Sequence, residues 1–366
     1  MKKILMIATC LLSLNSYGAT CTNAGTLLTH TNPDGSTGGQ YHDTASVAAT
    51  VFMSTTARVC DTAVVSGNTV LRDESRVQGA ASVSGNAQLY GSANVYGNAM
   101  VGEFAQISDS AQIYGDSTIK GSAKVTGTVE VYENSVVEGQ TFLSGDARVR
   151  GNSKVIENAR MKGSSIAEGN SIVSGSATMT GSSRVTDNGH VNGGSLVKGN
   201  VLVSANGFVT DSANLDGSVT ISDNGAIAGN TTSTPGTTAF VGDKALIIMS
   251  TLGALDGSNI IVIGNTFIDG NVVLKNAAKI YGSSTVFTTF DDDIVTIQDN
   301  AEIFGKASVS GNVTLKDDVK VYGSASIYEN ALIGGTNEFH GDVIVRGSAD
   351  FSAGSTVYDT GMFSGN

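Results

Sequence analysis

The chain has 366 residues, of which 46 are Gly, 2 are Pro and none is Trp; 40% are apolar and only 15% charged. The apolar fraction excludes a disordered linker, and Gly without a strict three-residue period excludes collagen. A net charge of -12 leaves no basic footprint for nucleic acid or anionic lipid, so no nucleic-acid partner is expected.

Lys2 and Lys3 open the chain, followed by a mostly apolar run from Ile4 to Leu14 and small residues Ser16, Gly18 and Ala19. This order predicts a signal peptide over residues 1–19, since the run is too short to span a bilayer. Removing its two lysines moves the charge from -12 to -14. No later stretch reads as a transmembrane segment. The expected destination is secreted or cell-surface, with the periplasm as the alternative. Cys10 leaves with the signal, and in an oxidising compartment Cys21 and Cys60 are expected to form a disulfide. That bond would pin an amino-terminal cap segment, residues 20–44, against the first repeats.

From residue 45 a six-residue pattern takes over. A large apolar residue returns at Val83, Leu89, Val95, Val101, Ile107, Ile113, Ile119 and Val125. Two positions earlier stands a small residue (Ala81, Ala87, Ala93), and two positions later often Gly (Gly85, Gly91, Gly97). The phase runs from Val47 to Ile227, with Ala167 the one small member, and resumes in shifted phase at Val262 and again at Ile297. A helix needs recurrence near 3.6, so a period of six excludes it; alternation within each unit predicts a short strand closed by a Gly turn. Such persistence predicts a solenoid. Tyr96, Tyr114 and Tyr132 recur at an interval of 18, as do Phe304, Tyr322, His340 and Tyr358. Three hexads per coil align these columns, which predicts a triangular parallel β-helix of at most 16 coils, roughly 75 to 80 Å long.

The hexads resemble those of the hexapeptide-repeat left-handed β-helix superfamily, which contains bacterial acyl- and acetyltransferases. Val95 followed by Ala99, and Ile113 followed by Ser117, fit its large-residue and small-residue spacing. Gly falls one place later than in many family examples, as in Val95-Tyr96-Gly97. The resemblance implies an all-β fold with left-handed winding, against the usual right-handed rule for parallel crossovers. It also implies trimers, and an alternative function as an exported acyltransferase with a catalytic His.

Two stretches interrupt the pattern. Residues 231–258, with Pro235-Gly236, read as an irregular insertion or degenerate coils between a β-helix over 45–230 and its continuation over 259–366. "KALIIMSTLGAL" fits either a short helix or irregular coils. Around "FTTFDDDIV" the spacing from Val286 to Ile297 is one short of two hexads. That slip would put Phe287 at the head of the Phe304 column. Asp291, Asp292 and Asp293 read as a solvated acidic loop, with attraction of a hard cation such as calcium as the alternative.

No catalytic set, metal cluster or cofactor loop can be placed. His190 and His340 read as surface residues, and Asp73, Glu103, Asp109, Glu133, Glu157, Asp187, Asp211 and Asp223 occupy outward turns. The candidate surface-binding residues are Phe287, Phe304, Tyr322, His340 and Tyr358, with Tyr96, Tyr114 and Tyr132 as a shorter stripe. Stacked columns of this kind either strengthen the sheet or offer an apolar strip to sugar rings or another protein. The expected function is a noncatalytic exported rod, structural or adhesin-like, with no cofactor. A polysaccharide or cell-surface protein is the expected partner class, and homotrimers or end-to-end stacking are the two assembly modes left open.

Overall fold

The computed structural model describes Cys21 and residues 25–253, 258–352 and 354–365; the expected signal peptide and Cys10 lie outside the described residues. Most hexads form a two-residue strand whose second side chain points inward. Asn94–Val95, Met100–Val101 and Gln106–Ile107 belong in turn to three different sheets. Each pairs in parallel with a strand one coil on: Val95 against Ile113, Val101 against Ile119, Ile107 against Val125. The chain is thus a single-stranded left-handed β-helix with three faces, the architecture of the hexapeptide-repeat superfamily. We call the faces first, second and third after the strands of Val95, Val101 and Ile107. Among the described residues they hold 18, 18 and 17 parallel rungs, more than the 16 coils expected. At the spacing of paired strands the rod is about 80 Å long.

Val95, Val101 and Ile107 are fully buried, as are Ala93, Ala99 and Ala105 between them. Burying each large side chain contributes roughly 1.5 to 3 kcal/mol. The small column becomes Gly at Gly207 because a Cβ there would lie 2.6 Å from the Ile221 carbonyl oxygen. Corners need positive φ, which Gly97 adopts at 73°.

The eight predicted turn carboxylates sit at such corners with φ of 53° to 65°. L residues are strained there, and the compensation is visible one coil on. Asp73 accepts the N–H of Gly91, Glu103 that of Gly121, Glu133 that of Gly151 and Glu157 that of Gly175, at 2.7 to 3.0 Å. Asp109, Asp187 and Asp211 do the same for Gly127, Ala205 and Gly229, whereas Asp223 accepts the Ser222 hydroxyl. Beside one corner runs an asparagine ladder that the sequence reading missed. Asn134, Asn152, Asn170, Asn188, Asn206 and Asn224 pass side-chain amide bonds of 3.0 to 3.3 Å from coil to coil. Its signal was plain in the sequence, an Asn every 18 residues.

At the amino-terminal end, Leu27–Thr31 pairs antiparallel with Thr37–His42. The Cys21–Cys60 disulfide is present. Asn32 substitutes for a missing rung: its amide donates to the Met53 carbonyl at 3.1 Å and accepts the Met53 N–H at 2.8 Å. His30 Nε2 lies 2.8 Å from the Val51 carbonyl oxygen, and His42 Nδ1 accepts the Asp61 N–H at 2.9 Å. Both histidines are buried.

Residues 231–253 carry strands within the stack, including Leu246–Ile248 and Thr251–Gly253. Ile227 pairs with Ile247, Ile247 with Ile268, and Leu252 with Leu274. The coils are longer here, because extra residues sit at corners. The Pro235-Gly236 corner adds two, so Ser218 pairs with Thr238. A larger addition follows Phe287, where Val286 pairs with Val309, 23 residues on. Eleven residues from Val286 to Ile297 are therefore one hexad plus five, not two hexads less one. This overturns the slip on which the Phe287 alignment rested.

Candidate functional site

The corrected register rebuilds the aromatic column. Each ring follows an inward residue of the first face: Tyr96 after Val95, Phe304 after Ile303. Following the pairing from Val95 through Ile221, Val241, Val262 and Ile280 to Ile303 puts both stripes on one edge of the rod. The head of the second stripe is Tyr281, whose ring lies 4.9 Å from Phe304 at 3°. Phe287 pairs with Ser310 on the second face and stands outside the column. Tyr358 is also displaced. It pairs with inward Phe339 and stacks on it at 4.8 Å and 8°, joining Phe351 and Phe363 in an aromatic cluster at the last described coils. Asp359 takes the next place along the edge and meets His340 Nδ1 at 2.9 Å.

The remaining candidates do converge. Tyr96, Tyr114 and Tyr132 stack with centroids 4.8 Å apart and planes within 7°. Phe304, Tyr322 and His340 continue from Tyr281 at 4.6 and 4.9 Å. Coil spacing fixes this separation, so every interior ring has a neighbour on both faces and presents only its edge to solvent. A pyranose stacks on a ring face, so the ladder geometry suits cohesion between coils better than sugar capture. Stacks of this kind are worth about 0.5 to 1.5 kcal/mol per pair. Burial among these rings pushes the Tyr114 phenol up, and the Glu130 carboxylate adds to the effect.

Charged side chains lock the ladders from outside. Arg150 follows Tyr132 on the edge, donating to its hydroxyl at 3.1 Å and to Glu168 at 2.7 Å, and Glu168 also pairs with Arg184. Burial opposes ionisation of Glu168, but hydrogen bonds from Arg184 and Arg150 prevail and hold its carboxyl below the usual value. Around this trio lies a shallow hollow of about 670 Å³ that also touches Glu133 and Asp187. Along the second ladder, Lys279 pairs with Glu302 and Lys320 with Glu338, whose carboxylates accept the Tyr281 and Tyr322 hydroxyls at 3.2 Å.

His190 lies outward on the second face, 6.0 Å from the Phe208 ring. Neither His190 nor His340 lines the hollow around Arg150 and Glu168. Among the described residues no group of three His, Cys, Asp or Glu side chains is placed to hold a metal ion. No protein-family profile matches the chain, and no curated protein matches its sequence.

Proposed function

We propose that the chain is an exported, noncatalytic rod with a structural or surface-attachment role, acting in the secreted or cell-surface space with a polysaccharide or surface protein as partner. The observation that carries this reading is where the chemistry-bearing side chains go. His30 and His42 bond the backbone of the cap. His340 stacks on Tyr322 and meets Asp359. The turn carboxylates hold the next coil's N–H groups. Apart from His190, which lies outward near Phe208, the histidines and turn carboxylates named here are engaged in the cap or between coils.

The test joins location, attachment and chemistry. The protein is expected in the secreted or surface fraction, and its deletion is expected to reduce attachment or surface integrity. Purified mature protein is expected to transfer no acyl group from activated donors to sugar acceptors. Donor-dependent product that disappears in His190→Ala or His340→Ala would replace this reading with the transferase.

A further inference from the structure

The chain leaves the wall after Thr285–Phe287 and returns at Val295–Ile297, and the intervening corner raises Phe290 until it is 73% exposed. Nothing in the stacking of coils needs this excursion, because Val286 and Ile297 are fully buried on either side of it. The excursion is nonetheless fixed. Asp293 Oδ2 accepts the N–H groups of Phe290 and Thr289 at 3.0 and 3.3 Å, and its own N–H donates to the Phe290 carbonyl at 3.1 Å. Its neighbour in the acidic run, Asp292, is exposed.

Phe290 forms a ridge between two hollows. One, of about 500 Å³, is bounded by Asp293, Tyr328, Glu329 and Asn330. The other, of about 470 Å³, is bounded by Asp269, Asn271 and Met249. The Phe290 ring stacks on no other aromatic among the described residues, in contrast to the two ladders. Asp269 Oδ1 is buried without a hydrogen-bond partner. Glu329 uses Oε2 for the Gly347 N–H, leaving its other oxygen to the hollow.

We propose that the corner over residues 288–294 is a binding site for an oligosaccharide without anionic groups, one pyranose lying on Phe290 and its neighbours reaching the hollow on either side. The inference rests on the surface-attachment reading and names its site and ligand class. A free ring face takes the apolar C–H face of a sugar, while carboxylate, amide and phenol groups around it suit hydroxyls. The carboxylates of Asp269, Asp291, Asp293 and Glu329 repel uronates and sulfated chains. An extended peptide lacks a free strand edge to join, because Ser308–Gly311 is already paired with both Thr285–Phe287 and Ser326–Glu329.

Calorimetric titration of the mature protein with chitohexaose, cellohexaose and maltohexaose tests the site. At least one is expected to bind, with oligogalacturonate not binding. Phe290→Ala is expected to weaken binding by more than about tenfold, and Tyr328→Phe, which removes only a hydroxyl, by about threefold. Phe290→Ala should leave the melting temperature unchanged, since its ring is exposed. Tyr322→Ser on the ladder should melt earlier yet bind normally. The proposal is overturned if no hexasaccharide binds, if Phe290→Ala binds as well as the parent, or if only hexalysine binds in a salt-sensitive manner. Surface attachment of the Phe290→Ala protein separates the two failures. Retained attachment removes this site alone, whereas acyl transfer by the parent removes the attachment reading itself.

Discussion

Residues 47–227 and the described residues of 228–352 build the same three-sided wall under different rules at the corners. In the first region partners lie 18 residues apart, as Val95 and Ile113 do, so every corner repeats its predecessor. In the second, partners lie up to 23 residues apart, as Ile280 and Ile303 do, while the inward ladder of Val262, Ile280 and Ile303 continues unbroken. The interior tolerates no change of register, because shifting one residue sends the apolar set outward. Corners face water and accept additions. The difference teaches where this solenoid can be elaborated without cost to its stack. It also shows what regularity is for: only the repeated corners can carry an asparagine ladder six residues long.

The largest expected effect probes the element common to both regions. Leu143→Ala and Leu274→Ala each empty a fully buried position, one in each region. Each should lower unfolding stability by about 2 to 5 kcal/mol, measured by denaturant titration. Equal losses support a continuous interior. A loss confined to Leu143→Ala would mean that the second region packs by other contacts.

The next prediction tries to break the comparison at its corners. Two serines inserted after Gly151 would interrupt the Glu133–Gly151 bond and the Asn134–Asn152–Asn170 run. The expected loss is about 2 to 4 kcal/mol, from several hydrogen bonds of about 1 kcal/mol each. The same serines inserted after Asp291, on the raised corner, should change stability by less than about 0.5 kcal/mol. Thermal unfolding of the two insertions decides it, and equal losses would remove the distinction between the regions.

These corners also mark what the sequence made legible. Strand and the 18-residue coil of the first region follow from the period, because inward apolar residues leave a strong pattern, and the Cys21–Cys60 bond joins the two cysteines expected to pair. Spacing alone misplaces two residues of the aromatic edge, Phe287 and Tyr358. An 11-residue gap from Val286 to Ile297 looks like two hexads with one residue missing, which put Phe287 in line with Phe304. Physically a deletion must stretch a strand or drop an inward residue, whereas an addition merely bulges into solvent. The second choice is the one taken. Tyr358 was misplaced for the same reason, one residue having been added between Phe339 and its partner. Tyr281, the true head of the ladder, then fell outside the column. The hollows beside Phe290 depend on which corners meet across coils, and no spacing within "FTTFDDDIV" reveals that.

A smaller effect is expected along the asparagine ladder. Asn170 both accepts from Asn152 and donates to Asn188, so Asn170→Ala breaks two exposed amide bonds at once. The loss should be about 1 to 2 kcal/mol, and Asn224→Ala, at the ladder's end, should lose about half as much. Equal losses would indicate that the amides do not act as a chain.

The smallest predicted effect is electrostatic and belongs to the regular region. The Thr126 hydroxyl, and then the Gly127 N–H, hold the Asp109 carboxyl below its ordinary value of 3.8. A carboxyl whose folded value is depressed binds protons more readily when unfolded, so its contribution is complete well above pH 3.8. It disappears as pH falls through the lower folded value. Asp109 is exposed, so solvent screening keeps the contribution below about 1 kcal/mol. Asp109→Asn retains an oxygen that can accept from Gly127 and removes only the charge. The variant should therefore melt slightly below the parent at pH 7, and the gap should close as acid protonates Asp109 in the parent. Glu168→Gln should behave alike with a wider gap, because it also leaves Arg150 and Arg184 without their shared carboxylate. A gap that stays constant from pH 7 to pH 3 would assign the corner bond to shape alone and leave ionisation no part in holding the coils together.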